Sequence, residues 1–487
     1  MATDKRSTLN FTESTPLYTN AGIETNENPI RESLKEAIYK STKGNSSQKE
    51  SDNSKSNSLN RSGRRGLKKT IKKAIESDSI SLLYPVCCGV DVHKDIIVAC
   101  MRTFNDKGEK LEEIREFSGF TDDLLLMREW LLENDCPIVA MESTGIYWRP
   151  LHNILEGNTN VILVNARHFK NVPGRKTDIS DSKWLAELLQ YGLLRGSFIP
   201  SKEVRDWREL SRNRKKLTKD VGDYKRRVHK VFETANIKID SVVSDLFGVT
   251  GRNLIEYLCS SAEITLDGVE KCAKGKLRKK VGELYRSLQG FFREHHRFEI
   301  LSFLQIISCL EKQVEAITVR LGSLMSDHEE LFFRLKDVPG IADVSAQGIL
   351  AELGSDLSMF ANENALSSWA GVAPGNNQSA GKRYSGKSPV KKHPFKEVLI
   401  EIAWSAIKKN GSFYKDKYYS LKARRGAKKA IVAIAHRILK AIYFIIKHGA
   451  VFKELGGEYL EERRQKKKLS FLFRQAKTLG YDLTPAA

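Results

Sequence analysis

The sequence lacks the features that mark membrane, secreted and zinc-binding proteins. Its 487 residues contain no uninterrupted apolar run of ~18 or more residues, so no transmembrane helix is expected. The N-terminus, MATDKRSTLNFTESTP, has no apolar signal-peptide core, which predicts a cytoplasmic protein. The seven cysteines have neither zinc nor disulfide spacing, so most are predicted to be small buried hydrophobic residues.

Acidic residues are also in short supply. The chain has 60 aspartates and glutamates against 81 lysines and arginines, which leaves a formal net charge of +21. Such an excess indicates a polyanionic partner, either nucleic acid or an acidic membrane surface. Hydrophobic residues make up 40% of the chain, which is enough to form real cores in a protein of several domains.

The first 84 residues are predicted to be a disordered extension. They are rich in Ser, Asn, Lys, Glu and Thr, and they contain too few apolar residues to offset the chain entropy lost on folding. The basic stretch Arg61–Lys73 at the end of this extension is either a solvated linker or a segment that lies on nucleic acid.

An α/β domain with a mixed sheet is predicted for residues 85–200. A hairpin and a weaker third strand come first, and helices then alternate with buried strands. The predicted strands are the two of the hairpin Val86–Met101, then Glu113–Phe117, Cys136–Ser143 and Val161–Asn165; the predicted helices are Asp122–Glu133, Tyr147–Leu155 and Thr177–Leu194.

Residues 201–330 carry two heptad patterns that predict long paired helices. In the first, Trp207, Arg214, Val221 and Val228 are spaced by sevens, with an arginine at one core position. The second runs from Ile300 to Leu324 with alternating spacings of three and four. The two helices pair either antiparallel within one chain or between subunits.

Residues 331–450 are predicted to be mainly helical. The turn VPGI, with Pro339 and Gly340, resembles a helix-hairpin-helix, whose backbone amides hold a DNA phosphate; a plain turn between two helices is the alternative. Amphipathic helices are predicted at Phe395–Lys409 and Ala427–His448. Basic residues near the second helix include Arg424, Arg425 and Lys428, and the tail 451–487 is basic as well.

The most unusual segment of this region is the glycine-rich stretch GVAPGNNQSAGKRYSGKSP, Gly371–Pro389, around Ser379. Its glycines and prolines predict a loop without regular strand or helix. Such a loop suits close backbone approach to a phosphate, with Ser379 as a possible nucleophile and with Lys382, Arg383 and Lys387 to neutralise charge. The alternative is a mobile surface loop. The match of GKRYSGKS to a nucleotide-binding P-loop is discounted, because no strand precedes it and proline follows it directly.

Four carboxylates form an ordered set in the α/β domain. Asp91 lies in the first strand, Glu142 ends a middle strand, and Asp178 and Asp181 share one face of a later helix. If these elements converge, the carboxylates repel each other unless a cation lies between them, and hard oxygen ligands suit Mg²⁺ or Mn²⁺. Taken singly, each acid has an ordinary alternative as a helix cap or a loop residue.

The segments GVDVHK, MESTGIYW and KTDISDSKWLAELL, followed by the heptads, VPGI and the glycine-rich stretch, resemble the DEDD-type transposases of bacterial insertion sequences, family one hundred and ten. The resemblance covers about residues 86–450. It implies a RuvC-like, ribonuclease-H-like domain at 85–200, a coiled coil at 201–330 and a serine domain at 331–450. Asp91, Glu142, Asp178 and Asp181 would be its metal-binding tetrad, and Ser379 its nucleophile.

The resemblance further implies DNA recombination guided by a structured bridge RNA, in a homotetramer built as a dimer of dimers and associated with the bacterial nucleoid. A composite site would then form between the RuvC-like domain of one subunit and the serine domain of another. Two other interpretations stay open: a RuvC-like nuclease or junction resolvase with water as the nucleophile, and an inactive nucleic-acid-binding protein. The target and donor sequences cannot be read from this chain.

Overall fold

The computed structural model describes residues 82–105, 109–142, 145–165, 178–375, 377–379, 382–385, 393–456 and 458–481. For residues 178–180, 377–379, 382–385 and 463–464 it describes the backbone alone. The chain divides into two compact units, Met1–Ile199 and Pro200–Ala487. The predicted N-terminal extension lies outside the described residues except for its last three positions.

The first unit is built on a five-stranded mixed sheet with the order β3-β2-β1-β4-β5. Its strands are β1 (Cys87–Val92), β2 (Ile96–Phe104), β3 (Lys110–Ser118), β4 (Ile138–Glu142) and β5 (Asn160–Val164). The first three strands are antiparallel neighbours, whereas β4 runs parallel to β1 and β5 runs parallel to β4. The predicted α/β fold with a mixed sheet is confirmed, and the topology is consistent with a RuvC-like domain.

Among the described residues of this unit, three helices cover the two faces of the sheet: α1 (Thr121–Glu133), α2 (Trp148–Leu155) and α3 (Asp178–Gln190). Because side chains alternate along a strand, each strand contributes to two cores. Val90 and Met141 face a core shared with α1 and α2. Cys87 and Ala140 face a second core shared with α3.

In the residues that the structure describes, the second unit is helical apart from one small hairpin. Its helices are α4 (Lys202–Thr234), α5 (Val249–Ser260), α6 (Leu266–Cys272), α7 (Val281–Ser287), α8 (Glu294–Leu324), α9 (Glu329–Lys336), α10 (Asp343–Leu353), α11 (Glu363–Trp369), α12 (Pro394–Ala406), α13 (Phe413–Arg425), α14 (Ala427–His448) and α15 (Glu458–Thr478). Within the described part of the chain, no helix combines the length and apolarity needed to span a membrane.

Helices α4 and α8 pack against each other along much of their length, and they run antiparallel within the chain. The Arg214 guanidinium lies 3.2 Å from the Thr318 hydroxyl, and the rings of Tyr224 and Phe303 lie 5.9 Å apart. Later residues of α4 thus contact earlier residues of α8. The antiparallel alternative therefore holds for this pair in the described structure, while the coiled-coil interpretation itself stays a prediction.

The residues between α4 and α8, 235–293, form a small helical subdomain that we call the tip. It contains α5, α6, α7 and two short 3₁₀ helices, Ile239–Ser241 and Gly275–Lys280. Its apolar core includes Leu254, Leu258 and Leu284, and it is continuous with Val228 and Ile300 of the two long helices. The tip therefore folds onto the end of the α4–α8 pair.

The C-terminal helices surround α14, whose apolar face packs against α9, α11, α12 and α13. The sequence predicts this helix with the same bounds, Ala427–His448. The glycine-rich stretch differs from its prediction, because it contains two short antiparallel strands, β6 (Asn377–Ser379) and β7 (Lys382–Ser385). The expectation of no regular strand was therefore wrong, because a short hairpin needs only a few paired residues.

Candidate active site

The strand register brings Asp91 and Glu142 together. Val90 of β1 is the register partner of Met141 of β4, so the next residues, Asp91 and Glu142, are neighbours on adjacent parallel strands. Because side chains alternate along a strand, Asp91 and Glu142 point to the opposite face of the sheet from Val90 and Met141, which is the face that α3 covers. Both are buried, at 3% and 1% exposure.

Helix α3 crosses this face very close to β1 at Gly89. A Cβ on Gly89 would lie 2.3 Å from both the Ala186 backbone nitrogen and the Ser182 carbonyl oxygen, so only glycine fits there. The Cys87 thiol, two residues earlier, donates to the Ala186 carbonyl at 3.5 Å. Later residues of β1 thus contact earlier residues of α3, so the first turn of α3 lies beside Asp91.

Ionic contacts hold α3 against the sheet on the side of β2 and β3. The Lys183 ammonium lies 2.6 Å from a Glu112 carboxylate oxygen, and the Arg102 guanidinium donates to the same carboxylate at 3.1 Å. Arg102 also lies 3.7 Å from Glu187 of α3. These contacts fix the helix that carries Asp181 relative to the strand that carries Asp91.

The environment of Asp91 disfavours its charged form. Burial raises the pKa of Asp91, and the nearby carboxylates of Glu142 and Asp181 raise it further. His93 acts in the opposite direction, with its Nε2 at 3.2 Å from Asp91 Oδ2. Two of the other predicted acids, Glu142 and Asp181, are therefore within electrostatic range of Asp91, and in their ionised forms they make Asp91 harder to ionise.

The donor set fits a hard divalent cation, because it consists of two buried carboxylates on adjacent strands and the partly exposed Asp181 on a facing helix. No group of three or more His, Cys, Asp or Glu side chains is arranged to hold a metal ion among those that the structure describes. The Asp178 side chain lies outside that set, although its backbone begins α3. Glu142 and Asp181 thus lie near Asp91, but the described side chains do not form a complete set of metal ligands.

The predicted serine lies on a defined piece of backbone. Ser379 ends β6, and its register partner is Lys382, the first residue of β7. Gln378 is paired with Arg383 in the same hairpin. Lys387 lies outside the described residues. The hairpin therefore places two of the three predicted basic residues directly across from the serine strand.

The other predicted nucleic-acid contacts fall into two groups. Arg424, Arg425 and Lys428 are all exposed around the junction of α13 and α14. In the VPGI turn, by contrast, Pro339 is buried, and a Cβ on Gly340 would lie 2.5 Å from the Ile402 carbonyl oxygen of α12. This packing explains the turn without a ligand, and its phosphate-binding role stays a prediction.

Two family models match the chain in separate regions. A DEDD-type IS110 model, described as a transposase, matches residues 88–237. A second model, described as "Transposase IS116/IS110/IS902 family", matches residues 333–419. The two matched regions are those of an IS110-family transposase. No curated protein matches the sequence significantly.

The IS110 assignment makes this chain a DNA transposase and supports DNA as its substrate. The first matched region contains all four predicted acids, and the second contains Ser379 and the VPGI turn. The tip lies almost entirely between the two matched regions.

Gly89 is the position in this IS110 transposase that the sequence reasoning missed. The motif GVDVHK contains it, but a glycine within a strand has several explanations. Only the packing of α3 onto β1 shows which explanation applies, since the close approach occurs between segments 93 residues or more apart in sequence.

Proposed function

We propose that this transposase cuts and rejoins DNA under the guidance of a structured RNA, with Asp91, Glu142, Asp178 and Asp181 as its cation-binding acids and Ser379 as its nucleophile. The observation that carries the proposal is the convergence of Asp91, Glu142 and Asp181 at the carboxyl ends of two parallel strands under α3. Ligands of open α/β sheets bind at such strand ends.

The residues of the α/β domain would hold and orient the scissile phosphate. Asp91 and Glu142 are fixed by the sheet, so their carboxylates would present oxygen ligands without a large reorganisation. A bound Mg²⁺ or Mn²⁺ supplies charge stabilisation to a phosphodiester in such a site. His93 would hold the Asp91 carboxylate in a fixed orientation.

The serine would provide the covalent step. Its hydroxyl oxygen forms a bond to phosphorus while the bond to the deoxyribose 3′ oxygen breaks, and the proton of the hydroxyl is transferred to leave a free 3′-hydroxyl. The phosphoserine linkage keeps the energy of the broken phosphodiester, so rejoining to another 3′-hydroxyl needs no external energy source. In our proposal the acids and the serine come from different subunits of a tetramer.

The covalent intermediate distinguishes this proposal from a water-dependent nuclease. The test uses the full chain, RNA transcribed from the non-coding DNA beside its gene, and labelled duplexes carrying the element ends. After quenching in detergent, labelled DNA should migrate with the protein for the wild type and for Ser385→Ala, a matched control in the same hairpin. It should not do so for Ser379→Ala.

The adduct should also map to the peptide that contains Ser379 in mass spectrometry. Cleaved DNA without any adduct in the wild type would favour hydrolysis by water and reject the serine step. An RNA-independent reaction with an intact adduct would reject the guidance and leave the serine assignment standing.

A further inference from the structure

The tip carries a strongly segregated charge. Residues 271–280, KCAKGKLRKK, contain six lysines and arginines and no acidic residue. The remainder of the tip, 235–270 and 281–293, contains four basic and seven acidic residues. Opposite signs are thus separated within one small subdomain, whereas a surface that only needs solubility mixes both signs. We call residues 271–280 the basic segment.

The cations of the basic segment are exposed, and most have no acid beside them. All six basic side chains are exposed. Two are compensated locally: Lys271 lies 2.6 Å from Asp267, and Lys280 lies 3.2 Å from Glu283. The other four, Lys274, Lys276, Arg278 and Lys279, form no ion pair within 4.0 Å in the described structure.

The backbone of the basic segment is anchored rather than free. The Lys274 backbone N–H donates to the buried Thr250 hydroxyl at 3.0 Å, and the Asn253 side-chain amide donates to the Cys272 backbone carbonyl at 3.3 Å. Leu277, in the middle of the 3₁₀ helix, packs against the apolar core of the tip. Since anchored cations lose less freedom on binding than those of a loose loop, the segment is preorganised for an anion.

The spacing of these charges suits a nucleic-acid duplex. A 3₁₀ helix rises ~2.0 Å per residue, so the four cations span roughly 10 Å. Duplex DNA carries one negative charge per ~1.7 Å of its axis, so this span faces several phosphates. The segment has no aromatic residue, whereas single-strand binders stack bases on aromatic side chains.

We infer that the basic segment of the tip binds the phosphate backbone of duplex DNA. The segment is distant in sequence from the carboxylates and from the serine hairpin. The inference does not depend on the proposed RNA guidance or on the proposed serine chemistry. DNA is favoured over other duplexes because this chain is a DNA transposase. The contact would be sequence-independent, since phosphate contacts fix position and carry no base information.

The test measures how binding of the full chain depends on salt. The probe is a duplex DNA of about three helical turns with arbitrary sequence, held in EDTA so that no cleavage occurs. The variant K274Q/K276Q/R278Q/K279Q removes the four uncompensated charges. The matched control, K219Q/K230Q/K312Q/R320Q, removes four exposed charges from α4 and α8 and therefore makes the same change in net charge.

Each lost phosphate contact reduces the slope of log K against log salt by about 0.9. The magnitude of this slope should therefore be smaller than that of the wild type by about 2 to 4 for the basic-segment variant, and by about 1 or less for the control. Equal slopes for the two variants would overturn the inference. A loss that occurs with duplex RNA but not with duplex DNA would also overturn it, and would identify RNA as the ligand. Equal melting temperatures of wild type and variant exclude unfolding as the cause, as expected for surface substitutions.

Discussion

At the scale of single residues, the candidate site depends on one glycine as much as on its acids. Gly89 allows the backbone of α3 at Ser182 and Ala186 to approach β1, and Asp181 lies in the turn of α3 just before Ser182. A side chain at position 89 would push the helix away from the sheet and would move Asp181 relative to Asp91.

We therefore predict that Gly89→Ala destabilises the first unit by about 1–3 kcal/mol, the usual cost of overpacking. The added methyl group would meet backbone atoms, which cannot rotate away as a side chain can. Urea unfolding measures the change, and DNA cleavage should fall more than DNA binding does.

Gly196→Ala is the matched control, because its Cβ would lie 3.4 Å from the Ile162 Cγ2 atom, an ordinary contact. This variant should change the free energy of unfolding by less than about 0.5 kcal/mol. Identical stability of both variants would mean that α3 relaxes without cost, and that Gly89 does not set its position.

Asp91 and Glu142 illustrate how much of the site could be predicted from the sequence. Each is an acid in or at the end of an apolar strand, and parallel pairing of neighbouring strands then brings them together. Their burial, the direction of α3 and the role of Gly89 could not be predicted, because they depend on packing between distant segments.

At the scale of elements, a buried polar network joins α4, α8 and α10. Arg214 of α4 is only 4% exposed, and its guanidinium donates to the Gln347 side chain, to the Thr318 hydroxyl and to the Val344 carbonyl. Burial lowers the pKa of Arg214. The Gln347 amide in turn donates to the Thr318 carbonyl at 3.1 Å.

A second ionic group reinforces the contact between α4 and α10. Glu352 of α10 is 3% exposed and accepts two hydrogen bonds from the Arg212 guanidinium, at 2.8 and 2.9 Å. Arg208, one turn earlier in α4, donates to the Glu352 carbonyl oxygen. Bidentate contacts of this kind fix orientation, so α10 has one register against α4.

We predict that Arg214→Ala lowers the free energy of unfolding by about 1–3 kcal/mol, because it leaves the buried Gln347 side-chain oxygen without its donor. Adding Gln347→Leu to an Arg214→Met background should recover part of this loss, since two apolar side chains replace both polar partners.

Arg226→Ala on the same helix is the control, because its side chain is 68% exposed and pairs with Asp223 at the surface. It should stay within about 0.5 kcal/mol of the wild type. If Arg214→Ala behaved like Arg226→Ala in urea unfolding, the network would not fix the register of these helices.

The long helices were the most predictable elements, and the hairpin was the least. Heptads spaced by sevens extend over many turns, so α4 and α8 and the arginine at a core position followed from the pattern. The antiparallel pairing did not follow, because a heptad pattern does not encode helix direction. The strands β6 and β7 have three and four residues, too few for a periodic signal to appear.

At the scale of the whole molecule, the basic character of the chain is divided among separate surfaces. Exposed cations lie at the junction of α13 and α14, on the basic segment of the tip, and along α15. The net charge of +21 is thus spread over several groups of exposed cations, each of which would suit a phosphate backbone. The cleavage chemistry, by contrast, is proposed for the carboxylates of the first unit together with Ser379.

We propose above all that these carboxylates, and Asp91 in particular, are required for cleavage by the Ser379 nucleophile. The decisive comparison is between Asp91→Asn and Asp95→Asn, since Asp95 lies four residues away with an 82% exposed side chain. Because the pKa of Asp91 is raised in the folded chain, its contribution to stability is present at low pH and is lost as pH rises through that pKa. Near pH 7 the neutral asparagine should therefore be at least as stable as the wild type.

The most direct test measures Mg²⁺-dependent DNA cleavage by wild type, Asp91→Asn and Asp95→Asn, with RNA and DNA binding recorded on the same samples. Cation stabilisation is worth several kcal/mol, so Asp91→Asn should reduce cleavage by at least about 100-fold with binding retained, while Asp95→Asn cleaves like the wild type. Cleavage by Asp91→Asn at the wild-type rate would contradict the account.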